Sequence, residues 1–201
     1  MREIKPPYGN PYWDEHLKPH PVSTSDIKEL ILDAMLIVMS SSGAAYFFDG
    51  VEEDDDDANV PKLLILYQSR AERKLSNTLL QLAILVRTLE DQINNSENAE
   101  KLRAHLSAVN EDLGPFGNSY GENEINLHFR ECANKIIHAE DFRPVYDNDS
   151  GDRHDGGFFM TSELELEGRL GKKEWQVSIN LIDFFEAALD FVEFCDLLEP
   201  A

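Results

Sequence analysis

Cysteine is scarce in this chain, and no stretch of the sequence is apolar and long enough to cross a membrane. The 201 residues include two cysteines, Cys132 and Cys195, and both occupy apolar positions of helical patterns. Two cysteines are too few for a disulfide framework, so we interpret them as small buried side chains in a reducing cytosol. The starting segment MREIKPPYGNPYW also lacks the apolar core of a signal peptide. We therefore expect a cytoplasmic protein that has no membrane partner.

Basic side chains are also few. The chain has 18 lysines and arginines against 39 aspartates and glutamates, which gives a formal net charge of -21. Such a surface repels phosphate groups at long range, which excludes broad, non-specific binding of nucleic acid. A local basic pocket is still compatible with this net charge. The hydrophobic fraction of 42% excludes a disordered chain. The length suits a single domain.

Proline is concentrated at the start of the chain. Residues 1–22 contain five prolines, which cannot donate the backbone hydrogen bonds of a helix. Tyr8, Tyr12 and Trp13 lie between the prolines. This segment is therefore either an extended arm that packs on the domain through its aromatic rings or a loose tail. We place a single helical domain at residues 23–201.

Apolar residues recur at helical spacing in three segments of the first half of the chain. These segments begin near Ile27, Leu63 and Ala99, and the second is the longest. Leu80, Ile84 and Leu85 widen the apolar stripe of the second segment. We therefore expect that helix to be buried on more than one side.

Charged residues cluster in three places. Arg70, Arg73 and Lys74 form a basic cluster on the second helix, which either pairs with carboxylates of the same chain or binds a ligand. Asp54–Asp57 and Asp141–Gly157 are rich in aspartate. We interpret both as polar loops, with a metal site as the alternative. The four aspartates of the first repel one another, and the second lacks the ligand order of an EF-hand.

Near the C-terminus the apolar period changes from helical to alternating. Leu164 and Leu166 alternate with glutamates, and a second alternating run begins at Trp175. The turn residues between the two runs predict a β-hairpin near residues 162–180. Asn180 then has the right chemistry to cap a last helix. Together these patterns predict a mainly α fold: a helical bundle of four or five helices with a β-hairpin before the C-terminal helix.

The clearest helical pattern covers Glu122–His138. Its apolar residues form one stripe, made of Ile125, Phe129, Cys132, Ala133, Ile136 and Ile137. Arg130, Asn134 and His138 are spaced by four and stack on a line nearly opposite that stripe, which we call the polar ladder. A guanidinium, an amide and an imidazole on one line are residue types that can form an anion-binding or catalytic site.

Each residue of the polar ladder also has an ordinary explanation. His138 is near a helix C-terminus, where the helix dipole favours a positive charge. Arg130 can form an ion pair with a nearby carboxylate, and Asn134 can be solvated like any surface amide. The sequence leaves both explanations open.

The hexapeptide ANKIIH, from Ala133 to His138, resembles the signature of HEPN domains. That signature is an arginine, a polar residue that is commonly asparagine, three further residues and a histidine. Asn134 and His138 match it, and Ala133 stands in the place of the arginine. Arg130, about one turn earlier, is a cation that could replace the missing one. We expect Ala133 to lie toward the edge of the apolar stripe, where an arginine could extend outward.

The resemblance implies a small helical bundle that dimerises through the central helix and cleaves RNA without a metal. In such a site a histidine acts as acid or base, because an imidazole titrates close to neutrality. An arginine holds the scissile phosphate, and an asparagine orients the histidine or donates to the phosphate. The catalytic candidates are therefore Arg130, Asn134 and His138. The implied partners are RNA and a second copy of the chain, with no cofactor and no metal.

Two functions follow from these observations. The first is a HEPN-like protein of the toxin–antitoxin or phage-defence type, either a metal-independent ribonuclease or its inactive descendant. The alternative is a non-enzymatic acidic interaction protein, an inhibitor or a nucleic-acid mimic that binds another protein. A dimer joined through the central helix favours the first function. A monomer with carboxylates spaced like phosphates along one face favours the second.

Overall fold

The computed structural model describes residues 22–47, 62–120, 126–147 and 158–198, which form five helices and five strands. In chain order these are α1 (Thr24–Phe47), α2 (Lys62–Asn94), α3 (Ala99–Leu113), β1 (Gly117–Tyr120), β2 (Asn126–Leu127), α4 (Phe129–His138), β3 (Ala139–Asp147), β4 (Phe159–Leu170), β5 (Lys173–Asn180) and α5 (Leu181–Leu197). The arm predicted for residues 1–22 lies outside the described residues except for its last position. The acidic run Asp54–Asp57 lies wholly outside them.

The five strands form one antiparallel sheet in the order β2-β1-β5-β4-β3. β4 and β5 are a hairpin directly before α5, and Gly171 in its turn has a φ of 65°, a conformation that glycine adopts without strain. The hairpin is nevertheless the centre of a larger sheet. The prediction of a mainly α bundle was therefore wrong, because three further strands make this an α and β structure.

β3 occupies part of the segment that we interpreted as a polar loop, Asp141–Gly157. Its residues Phe142, Pro144 and Tyr146 face the same side as the apolar residues of β4, so the strand does alternate. Pro144 made this alternation difficult to recognise in the sequence, because proline usually interrupts a strand. Here it is tolerated, since β3 is at the edge of the described sheet, where its outer backbone groups pair with no other described strand.

β1 has one aromatic side chain, Tyr120, and its other residues, Gly117, Asn118 and Ser119, are typical of loops. Its position is set by close approach, because a Cβ atom at Gly117 would lie 2.9 Å from Cys132 Sγ and 3.2 Å from the backbone oxygen of Ser178. Only glycine lets the strand pair with β5 while α4 packs across it. Gly117–Tyr120 therefore pairs through its backbone, and the sequence pattern could not reveal it.

The core lies between the inner face of the sheet and the helices. α5 is central to it, and Asn180 caps this helix as predicted by accepting hydrogen bonds from the backbone nitrogens of Ile182 and Asp183. The ring of Phe129 on α4 packs 5.8 Å from Phe184 and 5.5 Å from Phe191, both on α5. This aromatic cluster joins α4 to the centre of the core.

The two cysteines are free and lie on helices, as expected for small apolar side chains. Cys132 is fully buried, and burial raises the pKa of its thiol. Cys195 is partly buried, and burial raises its pKa to about 12. Neither thiol is therefore primed as a nucleophile near neutral pH.

α2 is less buried than its pattern predicted. Leu80 remains 39% exposed and Ile84 44% exposed, so the expectation that this helix is covered on more than one side is wrong for these two residues. The neighbouring helices α1 and α4 both contact α2. Leu80 lines a pocket with Ile136 and Ile137 of α4, so it lies beside that helix without being covered by it.

The first prediction tests the core. Phe129→Ala and Ile136→Ala should each lower the free energy of unfolding by about 2–5 kcal/mol, because both side chains are buried in tightly packed surroundings. Urea denaturation followed by circular dichroism measures this change. Leu170→Ala is the control, since Leu170 is 78% exposed and its loss should cost less than about 0.5 kcal/mol. Equal losses at all three positions would contradict the packing described above.

Candidate functional site

The polar ladder lies on α4, a short helix that runs directly into β3. His138 is the last helical residue, and Ala139 already has extended dihedral angles of −67° and 134°. Along the ladder, Arg130 and Asn134 are partly exposed and His138 is exposed. The opposite side of the helix is buried through Phe129, Cys132, Ala133 and Ile136. The predicted stripe and ladder are therefore on the sides that the sequence indicated.

α4 is shorter than the helix predicted for Glu122–His138. It begins at Phe129, because Asn126 and Leu127 belong to strand β2 and pair with β1. The backbone oxygen of Leu127 also accepts a hydrogen bond from the backbone nitrogen of Phe116 at 3.2 Å. Residues 121–125, which include the stripe residue Ile125, lie outside the described residues.

Arg130 is bonded to two carboxylates of α2. Its guanidinium lies 2.5 Å from Glu90 Oε1 and 3.1 Å from Asp91 Oδ1. Glu90 is the more buried of the two partners, since its side chain is only 4% exposed. It is also bonded at 3.0 Å to a second arginine, Arg87. Burial lowers the pKa of Arg130, but the hydrogen bonds to Glu90 and Asp91 more than offset this, and the net shift is upward. We call these four residues the Glu90 cluster.

The ion pairs of the Glu90 cluster weaken the attraction of the polar ladder for an anion. A guanidinium that already neutralises two carboxylates attracts a phosphate group weakly, because the carboxylates repel the same anion. Arg130 and His138 are also eight residues apart, about 12 Å along the helix. Within one copy of the chain these two residues are therefore poorly placed to act together on one phosphate.

The C-terminal end of α4 is held against the sheet. A Cβ atom at Gly168 on β4 would lie 2.8 Å from the backbone oxygen of His138, so glycine is required there for α4 and β4 to meet. Lys135 Nζ lies 4.0 Å from the ring centroid of Trp175, and burial lowers the pKa of this lysine. The backbone of His138 is thus fixed by packing while its side chain faces outward.

Ala133, which stands in the place of the HEPN arginine, is fully buried. We expected it near the edge of the stripe, with room for a longer side chain to extend outward. The structure shows instead that a substitution by arginine would place a guanidinium in the core, where an unpaired charge is costly. That expectation was wrong because α4 packs against α2 on one side and against α5 and the sheet on another.

A second candidate site, which the sequence analysis did not identify, is the outer face of the sheet. The outward residues of β4 are Glu163, Glu165 and Glu167, whereas the inward residues Leu164 and Leu166 are fully buried. No outward residue of the described part of β3, β4 or β5 is buried. Since α1, α4 and α5 contact β4, they must do so on its inner side.

We call this surface the acidic sheet face. Its carboxylates are Glu140, Asp141, Glu163, Glu165, Glu167 and Glu174. Two arginines lie among them: Arg143 is bonded to Asp141 and Glu167, and Arg169 lies 3.4 Å from Glu140 and 3.7 Å from Glu174. Six carboxylates against two arginines leave an uncompensated negative charge. The alternation of glutamate with leucine in β4 was the sequence feature that could have revealed this face.

Among the residues that the structure describes, no group of three or more histidine, cysteine, aspartate or glutamate side chains could bind a metal ion. In the basic cluster of α2, Lys74 lies 3.6 Å from Asp33, while Arg70 and Arg73 have no hydrogen bond or ion pair with a described residue. No described helix has the length and apolar character needed to cross a bilayer.

No protein-family model matches the chain, and no curated protein or solved structure is significantly similar to it. The resemblance to HEPN domains therefore stays a prediction based on the segment from Ala133 to His138. Any function must be inferred from the geometry of this chain alone.

The second prediction concerns the Glu90 cluster. Arg130→Leu should lower the free energy of unfolding by about 1–2 kcal/mol, because it leaves the buried Glu90 with one cation in place of two. The value is modest because Arg130 is 39% exposed and solvent screens its charge. Urea denaturation measures the loss.

A matched control is available on the sheet. Arg169 also lies near two carboxylates but is 61% exposed. Arg169→Leu should therefore change the stability by less than about 0.5 kcal/mol. If Arg130→Leu and Arg169→Leu lower the free energy of unfolding equally, the burial of Glu90 does not explain the contribution of Arg130 to stability.

Proposed function

We propose that this protein is a non-enzymatic acidic interaction protein that binds a basic protein partner through the acidic sheet face. The observation that supports the proposal is the row of Glu163, Glu165 and Glu167 on the open side of β4. Alternate residues of a strand are about 6.7 Å apart, so the row is regular and straight. A regular row of negative charges is also what a nucleic-acid strand presents to its binding proteins.

The electrostatics of this face suit recognition of a cationic surface. The side chain of Glu165, in the middle of the row, has no hydrogen bond or ion pair with a described residue, although its charge acts on nearby Arg143. Arg143 is opposite it on β3 but is bonded to Glu167 and Asp141. An arginine from a partner could therefore approach Glu165 without displacing an existing ion pair. The net charge of -21 would add long-range attraction and raise the association rate.

The environment of the polar ladder supports the same proposal indirectly. Its cation, Arg130, is already bonded to Glu90 and Asp91. A protein that binds an RNA phosphate at this place would have to overcome both carboxylates. A partner rich in arginine meets no such obstacle on the acidic sheet face, so the protein-binding function fits the charge distribution better than the RNA-binding one.

The third prediction tests the acidic sheet face with a synthetic oligo-arginine peptide. The triple variant Glu163→Gln, Glu165→Gln, Glu167→Gln should raise the Kd of the peptide about tenfold, because three exposed ion pairs of modest strength are lost. It should also weaken the dependence of Kd on salt. Fluorescence anisotropy titrations at several salt concentrations measure both quantities.

The control removes the same charge from a different place. Glu100→Gln, Glu111→Gln, Asp112→Asn changes three exposed positions of α3. Net charge is then equal in the two variants, and the α3 variant should change the Kd less than about threefold, because charges beyond a Debye length are screened. Equal weakening in both variants would mean that the peptide responds to net charge alone, and the assignment of this face would be wrong.

A metal-independent ribonuclease of the HEPN-like kind is the second candidate. One observation favours it: Asn134 and His138 reach the surface on one side of α4, and the apolar residues Leu80 and Ile84 of the neighbouring helix α2 are also exposed. Such a mixed surface can form a dimer interface, at which a second copy would supply the missing half of a site.

The fourth prediction separates the two candidates. If the chain is a ribonuclease, His138→Ala should abolish cleavage of a fluorescent RNA, because the mechanism that the resemblance implies uses this imidazole as its acid or base. Arg130→Ala should also abolish it. Glu131→Ala, an exposed change on the same helix, is the control and should leave cleavage intact. Under the interaction proposal the parent protein cleaves no RNA, and cleavage that depends on His138 would contradict that proposal.

A further inference from the structure

A small cleft opens at the edge of the sheet, where β3 lies beside α2 and the end of α4. It has a volume of about 190 Å³, and its apolar walls come from Leu80 of α2, Ile136 and Ile137 of α4, and Phe142 of β3. An apolar cavity of about 150 Å³ can hold a benzene molecule, so this cleft has room for one aliphatic or aromatic side chain. We call it the edge cleft.

The apolar walls of the edge cleft remain in contact with water. Leu80 is 39% exposed, and Ile137 and Phe142 are partly exposed. In the neighbouring strand β4, by contrast, the inward residues Leu164 and Leu166 are fully buried. In the described part of the chain the core is therefore incompletely covered beside β3. An apolar side chain that fills the edge cleft removes part of this surface from water.

Two carboxylates adjoin these apolar walls. Glu140 and Asp141 line the edge cleft and also belong to the acidic sheet face. Their partners Arg169 and Arg143 each lie 3.4 Å away, and both ion pairs are exposed, so solvent screens them. None of the described residues that line the edge cleft is a cation. A ligand of the edge cleft therefore meets an apolar surface and negative charge at the same place.

We infer that the edge cleft anchors an apolar side chain of the basic partner. The partner segment contains a leucine-sized aliphatic or aromatic residue next to an arginine or lysine. The apolar side chain enters the edge cleft, and the cation contacts Glu140 or Asp141. This inference rests on the proposed function, because the partner is the one that binds the acidic sheet face. Exposed ion pairs contribute little affinity each, whereas a side chain that fills a pocket contributes more, so the edge cleft supplies specificity that a row of glutamates lacks.

The charges beside the edge cleft select this occupant. Glu140 and Asp141 repel an anionic segment, including the acidic segments of a second copy of this chain. A wholly apolar segment would cover the two carboxylates without pairing them, which costs free energy. A segment in which a cation adjoins an apolar side chain meets neither difficulty.

The backbone of β3 is poorly suited to pair with an added strand. Residues two apart on a strand direct their backbone groups to the same edge. Pro144 has no backbone N–H, and the backbone N–H of Phe142 donates to Asp141 Oδ1 at 2.9 Å. Two successive positions of that edge thus offer no free donor to a partner strand. The partner is therefore held through its side chains, and the exchange of one side chain in a peptide tests the inference.

The fifth prediction compares two peptides that differ at one residue. One is an oligo-arginine peptide with a leucine at its centre, and the other has a serine there. The parent protein should bind the leucine peptide about tenfold more tightly, because its apolar side chain is taken out of water in the edge cleft. Fluorescence anisotropy titrations measure both Kd values, and their ratio is the leucine preference.

Two variants change the edge cleft in opposite ways. Leu80→Gln replaces an apolar wall by a polar one, and Ser76→Phe fills the space with a ring, since Ser76 also lines the edge cleft. Each should lower the leucine preference to less than about threefold. Both residues are at least partly exposed, and melting temperatures close to that of the parent would show that the fold is intact.

Ile84→Gln is the matched control. Ile84 lies one helical turn beyond Leu80 on α2, is 44% exposed and does not line the edge cleft. The same chemical change at this position should keep the leucine preference at about tenfold.

Three results would overturn the inference. The first is equal affinity of the parent protein for the two peptides. The second is a leucine preference that survives both Leu80→Gln and Ser76→Phe. The third is a preference that Ile84→Gln lowers as much as Leu80→Gln does, because the leucine would then contact the outer side of α2 and not the edge cleft.

A failure of the proposed function gives a different result. It appears with the peptide that contains only arginine, when the triple glutamine variant of β4 binds it no more weakly than the α3 variant does. The leucine preference is a ratio between two peptides of equal charge, so the number of carboxylates on β4 affects both Kd values alike. The two failures are therefore measured separately.

Discussion

The burial of Glu90 is the constraint on which the arrangement of α4 depends. A carboxylate with a 4% exposed side chain must be compensated, and Arg87 and Arg130 supply two charge-assisted hydrogen-bonding partners. Arg87 is on the same helix, so Arg130 is the group that ties α4 to α2. α4 continues into β3 without a loop. The edge strand of the sheet therefore begins directly at the end of the helix that this ion pair joins to α2.

The helices could be predicted from the sequence and most of the sheet could not, for a physical reason. A helix makes its hydrogen bonds locally, so its apolar period records the surface that it buries. A strand pairs with distant residues. β1 has glycine at the position where α4 and β5 approach, and β3 contains Pro144 at a sheet edge. Backbone pairing forms β1 although most of its residues are typical of loops, and it forms β3 although a proline interrupts the alternation of that strand. The β4–β5 hairpin was visible because its two strands alternate clearly and are adjacent in the chain.

The same difference limits what could be predicted about the candidate sites. The sequence was enough to place Arg130, Asn134 and His138 on one side of a helix, since spacing by four determines that. It could not indicate that Arg130 meets Glu90, which is forty residues earlier in the chain. Periodicity also places an apolar residue such as Leu80 on one side of a helix, but only the neighbouring elements decide whether that side is covered. Sequence patterns predict on which side of a helix or strand a residue lies. Contacts between elements determine whether its side chain is buried and which charged groups surround it.

The net charge of -21 is distributed unevenly over the described surface. On the acidic sheet face the carboxylates exceed the arginines, and Arg143 and Arg169 each already lie near two of those carboxylates. A cationic group that approaches this side of the sheet therefore meets carboxylates at short range in addition to the long-range field of the whole chain. At physiological salt the long-range attraction is screened beyond about 8 Å, so the local excess of carboxylates, and not the net charge, decides where a cation is attracted most strongly.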